Sequence, residues 1–102
     1  MEEVKKVELK NVELVAEISN LLGHPIRLII VDIIEKKEGA NWTEILNNLE
    51  EIIGKRLNPN TINFHLSKLV EGGIIEKKEG RFFVKENMKN NEILKAILKE
   101  IR

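Results

Sequence analysis

Residues 26 to 37, IRLIIVDIIEKK, constrain the fold more than any other stretch: Ile26, Leu28, Ile29, Ile30, Val31, Ile33 and Ile34 leave a helix no wide polar side. A helix that is apolar nearly all round must be covered nearly all round. In a chain of 102 residues there is room for one core and not for two of normal size, so this helix is expected at the centre of a single domain. One face would pack on the core and the other on terminal helices or on a second subunit. Pro25 suits its first turn, where a missing N–H costs nothing, and His24 reads as a helix-start residue. Glu38-Gly39 reads as a turn.

The flanking segments read as cover. Val12, Val15, Ile18, Leu21 and Leu22 recur at helical spacing before Gly23. Ala40 to Trp42 can form a very short strand. A third helix then starts near Asn41 to Thr43, where Asn41 and Glu44 have the spacing of a capping box, and Ile45, Leu46, Leu49, Ile52 and Ile53 make its stripe. The burial habits of tryptophan favour Trp42 as a packing residue at the helix entry over a ligand-stacking one. Ile74 to Lys78 and Arg81 to Lys85, around Glu79-Gly80, read as a β-hairpin with Ile75, Phe82 and Val84 toward the core. From Asn87 to Arg102 the residues Ile93, Leu94, Ile97, Leu98 and Ile101 form one stripe on a terminal helix of three to four turns. So short a helix is marginal alone and needs its stripe buried, most simply on a partner helix.

The stretch Asn58 to Gly73, NPNTINFHLSKLVEGG, carries the functional claim. Asn58 can cap a helix and Pro59 suits its first position. Ile62, Leu66, Leu69 and Val70 make an inner face, and Gly72-Gly73 end it. The outer face holds Asn60, Thr61, Asn63, Phe64, Ser67 and Lys68: short hydrogen-bonding groups, one aromatic ring and one cation, which can read base edges. Lys68 and Ser67 suit phosphate better than bases. Two helices joined by a turn, the second polar outward, make a helix-turn-helix. His65 lies beside the apolar stripe and reads as a structural histidine. The competing account of this face is an exposed polar helix with no partner.

Net charge is zero, yet its distribution is uneven. Residues 1–54 hold six Lys/Arg against eleven Asp/Glu, whereas residues 55–81 hold six against three and residues 82–102 five against three. Positive charge thus collects around the outward polar helix and the segments C-terminal to it. Lys77, Lys78 and Arg81 crowd near the hairpin tip, where they could contact phosphates, Arg81 could enter a minor groove, or all three could be solvated hairpin charges.

Other functions find little support. No nucleophile stands with a base, no glycine loop cradles phosphate, and no metal-ligand spacing occurs. Zero cysteines remove disulfides and thiolate chemistry. The expectation is a protein that is not an enzyme and takes no cofactor. The opening MEEVKKVELK alternates charges with single apolar residues, without a signal-peptide apolar run, and the longest apolar run, Leu28 to Val31, is far short of a membrane span. A cytoplasmic protein with no membrane partner is expected.

The order helix, helix, short strand, helix, helix, hairpin, helix is that of a winged helix, and two motifs go further. NPNTINFHLSKLVEGGII resembles the recognition-helix signature of ArsR-type winged-helix regulators of archaea and bacteria, a Ser/Thr-x-Ser-Thr-Val-Ser-x-His-Leu-x-x-Leu run ahead of Gly-Leu-Val and the wing. LLGHPIRLIIVDII resembles the same family's earlier Leu-x-x-Pro-x-Arg-x-x-Ile-Leu segment. The likeness covers roughly residues 15–86. Glu50 to Arg56 depart from it by lengthening the link before the recognition helix, and the absent cysteines mean that metal sensing is not carried over.

The resemblance implies a mainly α fold with a small β-hairpin wing, one winged helix-turn-helix domain over residues 1–102. Residues 11–22 and 87–102 would be dimerisation helices, 58–73 the recognition helix and 74–85 the wing. It implies a homodimeric, sequence-specific regulator of transcription, a repressor, binding double-stranded DNA, with the effector unspecified. Asn58, Asn60, Thr61, Asn63, Phe64, Ser67, Lys68, Lys77, Lys78 and Arg81 would contact DNA. Val15, Ile18, Leu22, Ile93, Leu94, Ile97, Leu98 and Ile101 would form the subunit interface. The alternative is a winged-helix protein-interaction module of a larger assembly that never reads DNA.

Overall fold

In the computed structural model, which describes residues 9–102, the apolar helix α2 (Pro25–Lys36) is central, following α1 (Leu9–Leu21). The alternating opening segment, residues 1–8, lies outside the described residues. Ile30, Val31, Ile33 and Ile34 of α2 are buried in one core with residues from every later helix and from the sheet. Ile26, Leu28 and Ile29 are half-buried, so the cover is incomplete on that side. The helix stops in a Schellman motif: Glu38 N–H donates to Glu35 C=O and Gly39 N–H to Ile34 C=O, closing the last carbonyls as that geometry requires. Glu38 is left-handed there (φ 53°), and Gly39 (φ 115°) lies so close under the Phe83 ring that a Cβ has no room.

Strand β1 (Ala40–Asn41) comes next and leads into α3 (Trp42–Ile53). The capping box forms as the spacing predicts: Asn41 Oδ1 accepts from Glu44 N–H at 2.8 Å, and Glu44 Oε1 accepts from Asn41 N–H at 3.1 Å. α3 ends at Gly54 in the left-handed conformation (φ 82°). The expected long link is therefore shorter than Glu50 to Arg56, because Glu50 to Ile53 continue α3 and only residues 54–58 connect it to α4 (Pro59–Glu71). Glu50 braces that connection, its carboxylate accepting from Leu57 N–H at 2.7 Å.

Strands β2 (Ile75–Lys78) and β3 (Arg81–Val84) pair antiparallel with Ile75 opposite Val84 and Lys78 opposite Arg81. Both turn residues have positive φ, Glu79 at 49° and Gly80 at 76°, the type I′ geometry that matches strand twist. β1 joins the other edge of β3, with Ala40 opposite Phe82, so the sheet order is β1-β3-β2. Ile75, Phe82 and Val84 are buried, as their alternation predicts.

The C-terminal segment differs from expectation. Instead of one helix over 87–102, a short α5 (Glu86–Lys89) is followed by α6 (Glu92–Ile101). Asn91 makes the break, since its Oδ1 accepts from both Ile93 and Leu94 N–H, an N-cap that starts a new helix. At the far end Arg102 returns α6 to α2, donating to the carboxylates of Asp32 (2.8 Å) and Glu35.

No single helix among the described residues is long and apolar enough to cross a membrane. The long axis is 55 Å and the radius of gyration 15.2 Å, above the roughly 13 Å of a compact 100-residue domain. Along α1, Leu9 and every residue from Asn11 to Glu17 are exposed, and burial begins only at Ile18.

Candidate nucleic-acid interface

Asn58 caps α4, its Oδ1 accepting from Asn60 N–H at 2.8 Å. Ile62, Leu66 and Leu69 anchor the helix in the core, while Val70, expected on the same inner face, is 40% exposed. At the C-terminal end Gly73 N–H donates to Val70 C=O and Ile74 N–H to Leu69 C=O, a second Schellman closure that turns the chain directly into the wing. Rotation of α4 is thus set by its buried stripe, and Asn60, Thr61, Asn63, Phe64 and Ser67 all face solvent. Phe64, at 54% exposure, is the most exposed apolar group of the helix, ahead of Val70.

Phe64 is not loose. The Arg27 guanidinium carbon lies 5.9 Å and the Lys68 ammonium 5.5 Å from its ring centroid, within reach of cation–π attraction. Lys68 also approaches Glu71 at 3.6 Å. Asn63 Oδ1 accepts from Trp42 Nε1–H at 2.8 Å. Trp42 is half-buried against the core, in keeping with its reading as a packing residue, and it adds this polar contact to the reading face.

Arg27 is the residue that sequence reasoning passed over. It is 5% exposed, and its Nε–H donates to His65 Nδ1 at 3.0 Å while Nη1 donates to Leu21 C=O at 3.2 Å. One guanidinium therefore ties the end of α1, the start of α2 and the middle of α4. His65 is half-buried in this contact, the structural role expected of it. As the acceptor of that bond its Nδ1 carries no proton, which places the ring proton on Nε2. Burial first, then the nearby charges of Arg27 and His24, lower its pKa from the usual 6.5. The signal available in the sequence was an arginine set among the apolar residues that open α2, which must find acceptors.

The wing separates its cations. Lys77 lies over the Phe82 ring at 5.4 Å, and Lys78 pairs with Glu76 at 2.7 Å. Arg81 is half-buried and folded onto the body, not standing at the tip as expected: its guanidinium donates to Gly39 C=O at 3.0 Å and meets Glu44 at 3.1 Å. A two-residue turn leaves Arg81 beside β1, and the Glu44 carboxylate of the capping box is the nearest counter-charge. The backbone N–H of Asn41 and the Arg81 cation hold the Glu44 carboxyl below its usual range. Between α4 and the wing runs an open trough of about 680 Å³, with Trp42, Leu66 and Phe82 among its apolar lining and Asn63, Ser67 and Lys77 among its polar lining.

The expected subunit-interface residues divide. Ile18, Leu22, Leu94 and Leu98 are at most 4% exposed, because α1, the turn after it and α6 use them to close the chain's own core. Ile93 and Ile97 are half-buried, and Val15 and Ile101 are exposed at 40% and 45%. The residues left facing solvent also include Leu9, Val12, Leu14 and Ile52. No group of three or more metal-ligating side chains occurs among the described residues.

No family model matches the chain, and no curated protein matches it by sequence. Solved structures do match by shape. NolR from Sinorhizobium fredii superposes with a TM-score of 0.64 at 18% identity, covering 99% of this chain and 93% of its own. Mb0332 from Mycobacterium bovis is described as the homodimeric winged helix-turn-helix DNA-binding domain of a possible ArsR-family transcriptional regulator. It gives 0.61 at 19% identity, covering 99% of this chain and 86% of its own. A predicted DNA-binding transcriptional regulator from E. coli gives 0.56 at 22% identity, covering 92% and 96%. With these likenesses beside its own element order and sheet, the chain has the winged helix-turn-helix fold.

Proposed function

We propose that this protein is a sequence-specific double-stranded DNA-binding regulator of transcription, a repressor that acts as a homodimer in the cytoplasm. The observation that carries the reading is the outward face of α4, where Asn60, Thr61, Asn63, Phe64 and Ser67 stand clear of the core on a helix locked by its buried stripe. In a major groove, residues near the helix start reach base edges, and Phe64 suits the thymine methyl. Asn58, Ser67 and Lys68 would meet phosphates, and the trough beside the wing would receive the strand, with Lys77 and Lys78 at its flank. Arg81 serves this reading by bracing the wing on β1.

Self-association is supported by the exposed apolar side chains of α1 and by Ile101, as well as by the homodimeric state of the Mycobacterium bovis domain. Two recognition helices related by a two-fold axis would enter successive major grooves about 34 Å apart on a pseudo-palindromic site.

A second reading, an interaction module that never reads DNA, is favoured by the same exposed apolar surface together with a net charge of zero. Binding to genomic fragments at about 50 and 200 mM salt separates the two, since a dimer making about six to ten phosphate contacts loses affinity steeply over that range. A preferred fragment with that salt dependence supports the regulator. No binding to any fragment at the lower salt leaves the interaction module.

A further inference from the structure

Trp42 and Asn63 are 21 residues apart in sequence, yet indole Nε1–H lies 2.8 Å from the Asn63 side-chain oxygen. An indole nitrogen can only donate, so the atom it meets must be Oδ1, and the orientation of the amide is fixed by chemistry. The amide is planar with oxygen and nitrogen on opposite branches. Turning Oδ1 toward Trp42 turns Nδ2 away from it, and among the described residues no acceptor holds that Nδ2. The anchor is firm: Trp42 is the first residue of α3, packed on the core, and the turn before it is fixed by the Asn41–Glu44 capping box and the Arg81 clamp.

We propose that Trp42 is a positioning residue that makes Asn63 a hydrogen-bond donor toward DNA, so that the base it faces must present an acceptor. The proposal rests on the DNA-reading role of α4. An asparagine free to rotate can present oxygen and nitrogen together to adenine N6 and N7. Here the oxygen is committed elsewhere, and the outward group is the NH2. Purine N7, guanine O6 and thymine O4 satisfy it, whereas cytosine offers its own N4 amino group and is rejected. Base choice at one position is thereby written partly in a residue that lies outside the recognition helix.

The same geometry predicts an inversion. In Asn63→Asp one carboxylate oxygen still accepts from the indole, and the other faces outward as an acceptor, which suits cytosine N4. In Trp42→Phe the ring still packs but the donor is gone, and the Asn63 amide is free to turn. Selection from a randomised duplex pool, followed by affinities for single-position variants of the selected site, tests both. The unaltered protein is expected to disfavour cytosine at one position by roughly tenfold. Asn63→Asp is expected to favour cytosine at that position, and Trp42→Phe to shrink the discrimination to within about threefold while other positions keep theirs. Trp42 is the chain's one tryptophan, so a single indole N–H resonance reports the contact in the free protein. That signal should shift in Asn63→Ala and hold near its place in Asn63→Asp.

An unchanged base profile in Asn63→Asp, or full discrimination in a folded Trp42→Phe, overturns the proposal and leaves the DNA-binding regulator standing. If the unaltered protein selects no sequence at all, the regulator reading falls and this proposal with it.

Discussion

Arg27 and His65 are the pair on which most of the site's rigidity depends. Arg27 gives hydrogen bonds to His65 and to Leu21 C=O while almost wholly buried, so neither acceptor can be replaced by water without opening the α1–α2–α4 junction. The lowered pKa of His65 gives this contact a pH signature. The unfolded chain takes up a proton near 6.5, whereas the folded ring does so only at lower pH. Between those values the unfolded state binds more protons, so stability is full above about 6.5 and declines as pH falls through that window. Urea midpoints at pH 7.5 and 5.5 should therefore drop more on acidification for the unaltered protein than for His65→Gln. Gly39 is a second residue with no tolerance: a side chain there would meet the Phe83 ring at a φ of 115°. Gly39→Ala is expected to cost about 3 kcal/mol, strain and overpacking together, measurable as a lowered midpoint with an unchanged m-value.

At the scale of elements, the readable and the unreadable parts of this chain separate cleanly. Caps and turns were legible because their chemistry is local: the Asn41–Glu44 box, Asn58 before Pro59 and the Glu79-Gly80 turn all form where the spacing puts them. The break at Asn91 was equally local but lay hidden under a continuous apolar stripe, since Ile93 to Ile101 keep the same period whether or not a cap interrupts the helix upstream. The seating of α1 was not local at all. Leu21 approaches Gly72 so closely that a Cβ at Gly72 would overlap its side chain, so the turn after the recognition helix doubles as the seat for α1. Gly72 has an ordinary helical φ of −78°, and backbone strain is not at issue. Gly72→Ala should cost about 1–3 kcal/mol through overpacking and raise amide exchange along α1. Adding Leu21→Ala should recover part of that loss, giving a coupling a double-mutant cycle can read.

For the whole molecule, the decisive feature is that a single chain leaves large apolar side chains exposed, Leu9, Val12, Leu14, Val15, Ile52 and Ile101 among them. Among the described residues nothing covers the outer turns of α1, and a helix of 13 residues is marginal in water without tertiary contacts. A shallow space of about 370 Å³ bounded by Leu28, Ile29, Ile52 and Ile101 lies open on the less covered side of α2. The homodimer proposed above would cover such surfaces, and the test belongs to residues exposed in the monomer. Val15→Glu, at a site 40% exposed, should shift sedimentation toward monomer at micromolar concentration while leaving the circular-dichroism spectrum of the fold largely intact. A dimer indifferent to Val15→Glu and to Ile101→Glu would remove α1 and α6 from the interface. Leu94→Glu would be uninformative, because Leu94 is 2% exposed within its own subunit and its loss would unfold the protein first.

The sequence by itself determined what depends on neighbours a few residues away: helix periods, caps, the hairpin turn, the inward side of each strand and the polar face of α4. The tertiary structure alone decided which of two chemically equal candidates does which task. Val15 and Ile18 share a helix and an apolar character, yet only Ile18 reaches the core. Lys78 and Arg81 stand opposite each other on the wing, yet only Arg81 turns back to Gly39 and Glu44. Asn60 and Asn63 sit one turn apart on α4, yet only Asn63 meets Trp42. The physical reason is the same in each case. A hydrogen bond or a buried contact between residues 21, 38 or 42 positions apart depends on how helices and sheet pack around α2, and no local pattern of residues encodes that distance.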